Sequence, residues 1–157
     1  MKLTLLFTGK TEEAYLKEGI GIYTKRLRHY IPNEIKIIDD RKKKPEHVAG
    51  RTKAGKSEKL ISADNSNAYF VLLDEKGDKL SSEEFAKFIE NTMVRGYKEL
   101  IFITGGAYGF PEDVYRRANR IISLSDMTFT NQMVRLILVE QIYRAMTIIR
   151  GEPYHHQ

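Results

Sequence analysis

The sequence has no cysteine among its 157 residues. Disulfide scaffolds, cysteine-ligated zinc, iron–sulfur clusters and thiol nucleophiles are therefore excluded. Long apolar runs are missing too. The longest covers residues 68–73, far short of the roughly 20 residues that cross a bilayer as a helix. The opening Met1-Lys2-Leu3-Thr4-Leu5-Leu6-Phe7 is apolar but has neither the long hydrophobic region nor the small-residue cleavage site of a signal peptide. A cytoplasmic protein with no membrane role is expected. Absent motifs narrow the chemistry further. There is no G-x-G-x-x-G, and only Gly9 follows the first strand, which argues against a Rossmann dinucleotide site. There is no G-x-S-x-G and no Ser/His/Asp system. His29, His47, His155 and His156 show no metal-ligand spacing, so no metal is expected.

What is present fits one soluble α/β domain of 18.2 kDa, with 41% hydrophobic and 30% charged residues. The net charge is +5 and the pI about 9.3, which hints at an anionic partner. The excess is local. Residues 41–59 hold eight bases, including Lys42, Lys43 and Lys44, against two acids, so the rest of the chain carries a net −1. Such a segment can neutralise phosphates. It can equally be a solvated loop. The preceding stretch Lys25-Arg26-Leu27-Arg28-His29-Tyr30 interleaves bases with an aromatic residue, which favours RNA.

Strand-like and helix-like pieces alternate. Strands are expected over 2–7, 34–38, 68–73, 100–103 and 120–124. Thr11 is placed to cap a helix through about residue 30, which Pro32 stops. Asp74 to Gly77 reads as a turn, and Ser81 with Glu84 as a capping box for a helix ending at Gly96. Pro111 suits the first turn of a helix through about residue 119. A last helix over 131–149 ends at Gly151 and Pro153. Five strands separated by helices predict a parallel, doubly wound sheet in one domain. The last helix is apolar around nearly its whole circumference, where a surface helix needs one stripe. A homodimer through this helix is expected; the alternative is a helix sandwiched inside its own domain.

Gly50 to Ser57 matches the phosphate-loop pattern G-x-x-x-x-G-K-S. That loop needs a buried strand before it and a helix after it, whereas charged residues precede this one, so nucleotide hydrolysis is rejected. The better signals lie where a doubly wound sheet binds ligands, beyond the carboxyl ends of its strands. The third strand ends at Leu73. The fourth runs into Gly105-Gly106-Ala107-Tyr108-Gly109. The fifth runs into Ser123-Leu124-Ser125-Asp126-Met127-Thr128-Phe129. Leu73, Ile103, Leu124, Met127 and Phe129 are candidates for an apolar slot, with backbone groups reading a purine edge.

These two motifs, followed by Gln132-Met133-Val134-Arg135, by Glu140-Gln141-Ile142-Tyr143-Arg144-Ala145 and by Arg150-Gly151-Glu152-Pro153-Tyr154-His155, resemble the RlmH family of SPOUT-class methyltransferases. The resemblance covers essentially the whole chain and is densest in the last third. It implies a SPOUT fold with a C-terminal trefoil knot, the knot and site lying in roughly residues 70–157. It implies S-adenosylmethionine as cofactor, held by Leu73, Gly105, Leu124, Ser125, Asp126, Met127, Thr128 and Phe129. It also implies a homodimer and transfer of a methyl group to N3 of a pseudouridine in 23S ribosomal RNA on assembled ribosomes. The family usually carries His where this chain has Asn131, and residues between the second and third strands match only loosely.

Direct displacement needs the N3 proton removed and the nitrogen in line with the methyl group. A cation from Arg135 or Arg144 would favour the N3 anion. Arg144 is expected to be catalytic with Tyr154 and His155, which position the base or take its proton. Glu140 is four residues before Arg144, so an ion pair on one helix face is the plain alternative. Arg135, Lys42, Lys43 and Lys44 are the expected substrate contacts. The competing class is a non-catalytic ribosome- or RNA-binding module, which would need only the basic segment.

Overall fold

The computed structural model describes residues 1–38, 67–105 and 109–155. Lys42, Lys43, Lys44 and the phosphate-loop match at 50–57 lie outside the described residues.

Five strands form one parallel sheet in the order β2-β1-β4-β3-β5. They are β1 (Lys2–Thr8), β2 (Asn33–Ile38), β3 (Ala68–Lys79), β4 (Glu99–Thr104) and β5 (Arg120–Ser123). Among the described residues, four helices lie between or after them: α1 (Ala14–Leu27), α2 (Ser82–Val94), α3 (Glu112–Arg117) and α4 (Met133–Arg150). The central strands are apolar at consecutive positions because both faces are covered. Leu3, Leu5, Phe7, Val71, Leu100 and Phe102 face the layer built by α1, α2 and α4. The alternate positions Leu6, Phe70, Leu72, Ile101 and Ile103 face the opposite side, where Val114 of α3 packs. Burying each such Leu, Ile or Phe is worth roughly 1.5–3 kcal/mol, so the sheet is the stable platform for the loops at its ends.

Local chemistry sets the helix limits. The capping box forms in full: Glu84 N–H donates to Ser81 Oγ at 3.1 Å, and Ser81 N–H to the Glu84 carboxylate at 2.7 Å. Gly151 closes α4 in the left-handed region at φ 67°. Three expectations are corrected. Thr11 does not cap α1, which starts after Glu13, because its hydroxyl accepts a bond from Arg135 instead. Helix α3 stops at Arg117, two residues early, because Asn119 is drawn onto β3: its N–H bonds Phe70 O and its side-chain oxygen takes Phe70 N–H at 2.7 Å.

The third correction shapes the site. Asp74 to Gly77 is a bulge within β3, not a turn that ends it. Leu73 and Asp78 both pair with Ile122, and the strand continues to Lys79. Gly77 permits this, since a Cβ there would lie 2.6 Å from Ile122 backbone atoms.

Helix α4 packs between α1 and α2 against the sheet. This accounts for Leu138, Val139, Ile142, Ala145 and Met146, all fully enclosed. Its first turn reaches the β1 end of the sheet: Gln132 accepts from Glu12 N–H at 2.9 Å and donates to Lys10 O at 3.1 Å. Since β5 lies at the opposite edge, residues 124–132 must cross the carboxyl ends of β3 and β4.

Candidate functional site

That crossing builds a cleft of about 440 Å³. Leu73 and the bulge with Asp74, Glu75 and Lys76 form one wall. Thr104 and Gly105, at the end of β4, lie with Gly109, Phe110 and Tyr115 along it. Leu124 to Phe129, then Asn131 and Val134, form the facing side. All eight residues expected to hold a cofactor line this one space.

The cleft is shaped by short polar ties. Asp74 accepts Lys76 N–H at 2.9 Å on one oxygen and the Tyr115 hydroxyl at 2.5 Å on the other, fastening the bulge to α3. Burial, reinforced by Asp74, pushes the Tyr115 phenol above its ordinary range, so it stays a donor. Ser123 Oγ donates to Ser125 O, and Ser125 Oγ accepts Met127 N–H, each at 2.9 Å. These bonds fold the loop so that Met127 and Phe129 stay exposed, at 77% and 38%, over the opening. A Cβ at Gly105 would meet the Phe110 ring at 3.2 Å, so the missing side chain leaves room beside an aromatic face. The buried Thr104 hydroxyl has no partner among the described residues.

The expected catalytic residues form a second group. Arg144 donates to Glu140 at 2.6 Å, and the Tyr154 hydroxyl donates to the same carboxylate at 3.1 Å. The Arg144 guanidinium lies 4.8 Å from the Tyr154 ring centroid. His155 Nδ1 is 3.4 Å from Arg144, and its Nε2 is 2.7 Å from Glu83. Tyr23 of α1 meets the Tyr154 hydroxyl at 3.4 Å. Burial, then Tyr23 and Glu140, hold the Tyr154 phenol well above its ordinary range. The Glu140 hydrogen bond raises Arg144 further, so it stays a cation. Arg144, Tyr154 and His155 are thus brought together. Glu140 is the hub of the group, and Glu83 is a partner that sequence spacing alone could not reveal.

Arg135 belongs to neither group as a ligand contact, which corrects its expected role at the substrate. It is 1% exposed. Its guanidinium donates to Thr8 O at 2.6 Å and Thr11 Oγ1 at 2.9 Å and lies 5.2 Å from the Phe7 ring centroid. Burial lowers its pKa. Arg135 fixes the β1–α1 loop to α4. Thr8 Oγ1 in turn donates to Thr104 O at 2.9 Å, so the clamp reaches the floor of the cleft.

A parallel α/β domain with a nucleoside-sized cleft at the ends of its third, fourth and fifth strands defines a class: a ligand-binding α/β protein whose site is not the one after strand one. The sequence model of the family described as "Predicted SPOUT methyltransferase" matches residues 1–155, and the chain belongs to that family. Curated relatives include two proteins named "Ribosomal RNA large subunit methyltransferase H". The one from Christiangramia forsetii is 47% identical over 157 residues, and the one from Parabacteroides distasonis is 46% identical; in each case all of both chains is covered. A solved structure described as a probable methylase family protein from Haemophilus influenzae Rd KW20 is similar in fold, with a TM-score of 0.52 and 9% identity. The match covers 99% of this chain and 70% of that one. The chain is therefore a methyltransferase, and S-adenosylmethionine is the methyl donor of its family. Among the described residues, no helix is long and apolar enough to cross a membrane and no group of three or more acidic or histidine side chains could hold a metal ion.

Proposed function

We propose that this protein methylates N3 of a pseudouridine in large-subunit ribosomal RNA on assembled ribosomes in the cytoplasm. The observation that carries this is the convergence of Leu73, Gly105 and Leu124–Phe129 on one cleft. The residues present fit S-adenosylmethionine. The cleft has the volume of a nucleoside site, the apolar slot suits a purine, Gly105 leaves space, and the Thr104 hydroxyl is free among the described residues. When bound, the cofactor supplies an electrophilic methyl group on a sulfonium sulfur.

The chain's own residues then deal with the N3 proton. The His155 contacts suit a neutral ring with its proton on Nε2 toward Glu83 and an accepting Nδ1 toward Arg144. When Arg144 turns to the pseudouridine, its charge stabilises the N3 anion and leaves Nδ1 free to take the proton. Tyr154, kept protonated, keeps its hydroxyl proton on Glu140 and holds that carboxylate in place as Arg144 leaves it. The N3 lone pair so exposed would take the methyl group that a cofactor held by Leu73, Gly105 and Leu124–Phe129 would supply.

The geometry supports a homodimer in this reaction. Val134 lines the cleft, and Arg144 follows ten residues later on the same helix. That is roughly 15 Å at 1.5 Å per residue, while reacting atoms must come within about 3.5 Å. A second copy packed along α4 brings its Arg144, Tyr154 and His155 over this copy's cleft. The same reading keeps the C-terminal trefoil knot that the family resemblance implies, and has the basic segment with Lys42, Lys43 and Lys44 dock on ribosomal RNA.

The test is mass spectrometry of ribosomal RNA after incubation with protein and S-adenosylmethionine, using ribosomes and free RNA in parallel. One methyl group on a pseudouridine-containing fragment of the ribosome sample is expected. An unchanged fragment in both samples would overturn the reading.

A further inference from the structure

The charged groups at the cleft are not all committed. Asp74 is taken up by Tyr115 and Lys76 N–H. Lys79, at the end of β3, instead reaches across and pairs with Asp126 on the facing loop. Among the described residues this is the one ion pair whose two members both line the cleft. The side chains are 57% and 77% exposed. An exposed pair of this kind contributes little to stability, so it is readily exchanged for better partners. Sequence reading did not single out Lys79, because the bulge that carries β3 past Leu73 is invisible in the local pattern.

We propose that Lys79 and Asp126 together read the amino-acid end of the cofactor, Asp126 taking the α-ammonium and Lys79 the α-carboxylate. This rests on the cofactor reading above and goes beyond it in naming which part of the ligand meets which wall. The apolar slot of Leu73, Leu124, Met127 and Phe129 suits the adenine and offers nothing to a zwitterion. The ligand's amino-acid end carries one charge of each sign, and Lys79 and Asp126 present the complementary two from opposite walls. Exchange conserves charge: one exposed ion pair becomes two pairs, each partly withdrawn from water and so less screened. The order of charges also gives direction. A ligand entering with its amino-acid end reversed would meet like charges.

The experiment is calorimetric titration with S-adenosylhomocysteine and with methylthioadenosine, which keeps the nucleoside and lacks the amino acid. It compares the wild type with Lys79→Met, Asp126→Asn and the charge-swapped double variant Lys79→Asp/Asp126→Lys. Each single variant is expected to bind S-adenosylhomocysteine about tenfold more weakly, with methylthioadenosine affinity unchanged within twofold. The swapped variant restores the ion pair but reverses the walls, so it should stay at least as weak. Equal losses for both ligands, or recovery in the swapped variant, would make the pair a structural staple and overturn the proposal while leaving the cofactor reading intact. A wild type that binds neither ligand would overturn both.

Discussion

The cleft and the tail group are built on opposite principles. The cleft is made of loops and strand ends, with a buried Thr104 hydroxyl that has no partner among the described residues and with exposed Met127 and Phe129 at its mouth. The tail group is made of long side chains already paired with one another: Arg144 with Glu140, Tyr154 with Glu140 and Tyr23, His155 with Glu83. One region is shaped to receive a ligand. The other is stocked with charge and protons but closed on itself in a single chain. Binding and proton chemistry are therefore separable, and variants in the two regions should fail differently.

The largest effect is expected in the tail group. Arg144→Ala removes the cation proposed to face the N3 anion and should lower kcat about 100- to 1000-fold, the range for deleting one such donor. The dissociation constant for S-adenosylhomocysteine should stay within twofold. A parallel loss of cofactor binding would mean that the two regions act as one. The comparison can be sharpened by mixing. Gly105→Val spoils the cleft and spares the tail, while Arg144→Ala does the reverse. If each working site takes its cleft from one copy and its tail from another, refolding the two impaired variants together recovers activity above that of either alone, measured at a cofactor concentration that leaves Gly105→Val unsaturated. No recovery would confine each site to one chain and refute the two-copy arrangement.

On the cleft side, Gly105→Val is expected to weaken S-adenosylhomocysteine binding by about 10- to 100-fold. The added carbons fill the room beside the Phe110 ring that a bound ligand would use. Titration checks the affinity, and the melting temperature should move little because the cleft side is open.

Much of this was legible in the sequence. Strand ends followed by glycine or by a Ser/Asp/Thr run mark ligand loops, and the capping box at Ser81 is a local signal that the fold obeys. What was not legible depends on partners far along the chain. The bulge at Asp74 has the composition of a turn, and only Ile122, some 45 residues later, decides that β3 resumes. Arg135 shows its charge in the sequence but not its surroundings, so it read as a substrate contact. In the fold it is enclosed by Phe7, Thr8 and Thr11. Arg135→Met tests that role. It strands Thr8 O without its donor, which should cost about 1–3 kcal/mol of stability, read as a fall in the denaturant midpoint. Cofactor affinity should drop only to the extent that Thr104 shifts with Thr8.

The smallest expected effect distinguishes a proton donor from a proton acceptor within the tail group. Tyr154 has a folded-state pKa raised above its ordinary value of 10.0, chiefly by burial. A raised pKa means that folding favours the protonated phenol. That contribution is complete below the unfolded value and is lost only as pH rises through the higher folded one. Tyr154 therefore stays a donor across the working range and adds no limb to the rate profile. Tyr154→Phe removes one hydrogen bond worth about 1 kcal/mol, so kcat should fall by about fivefold with the shape of its pH dependence unchanged. An altered profile in Tyr154→Phe would make the phenol the proton acceptor and take that role from His155 Nδ1.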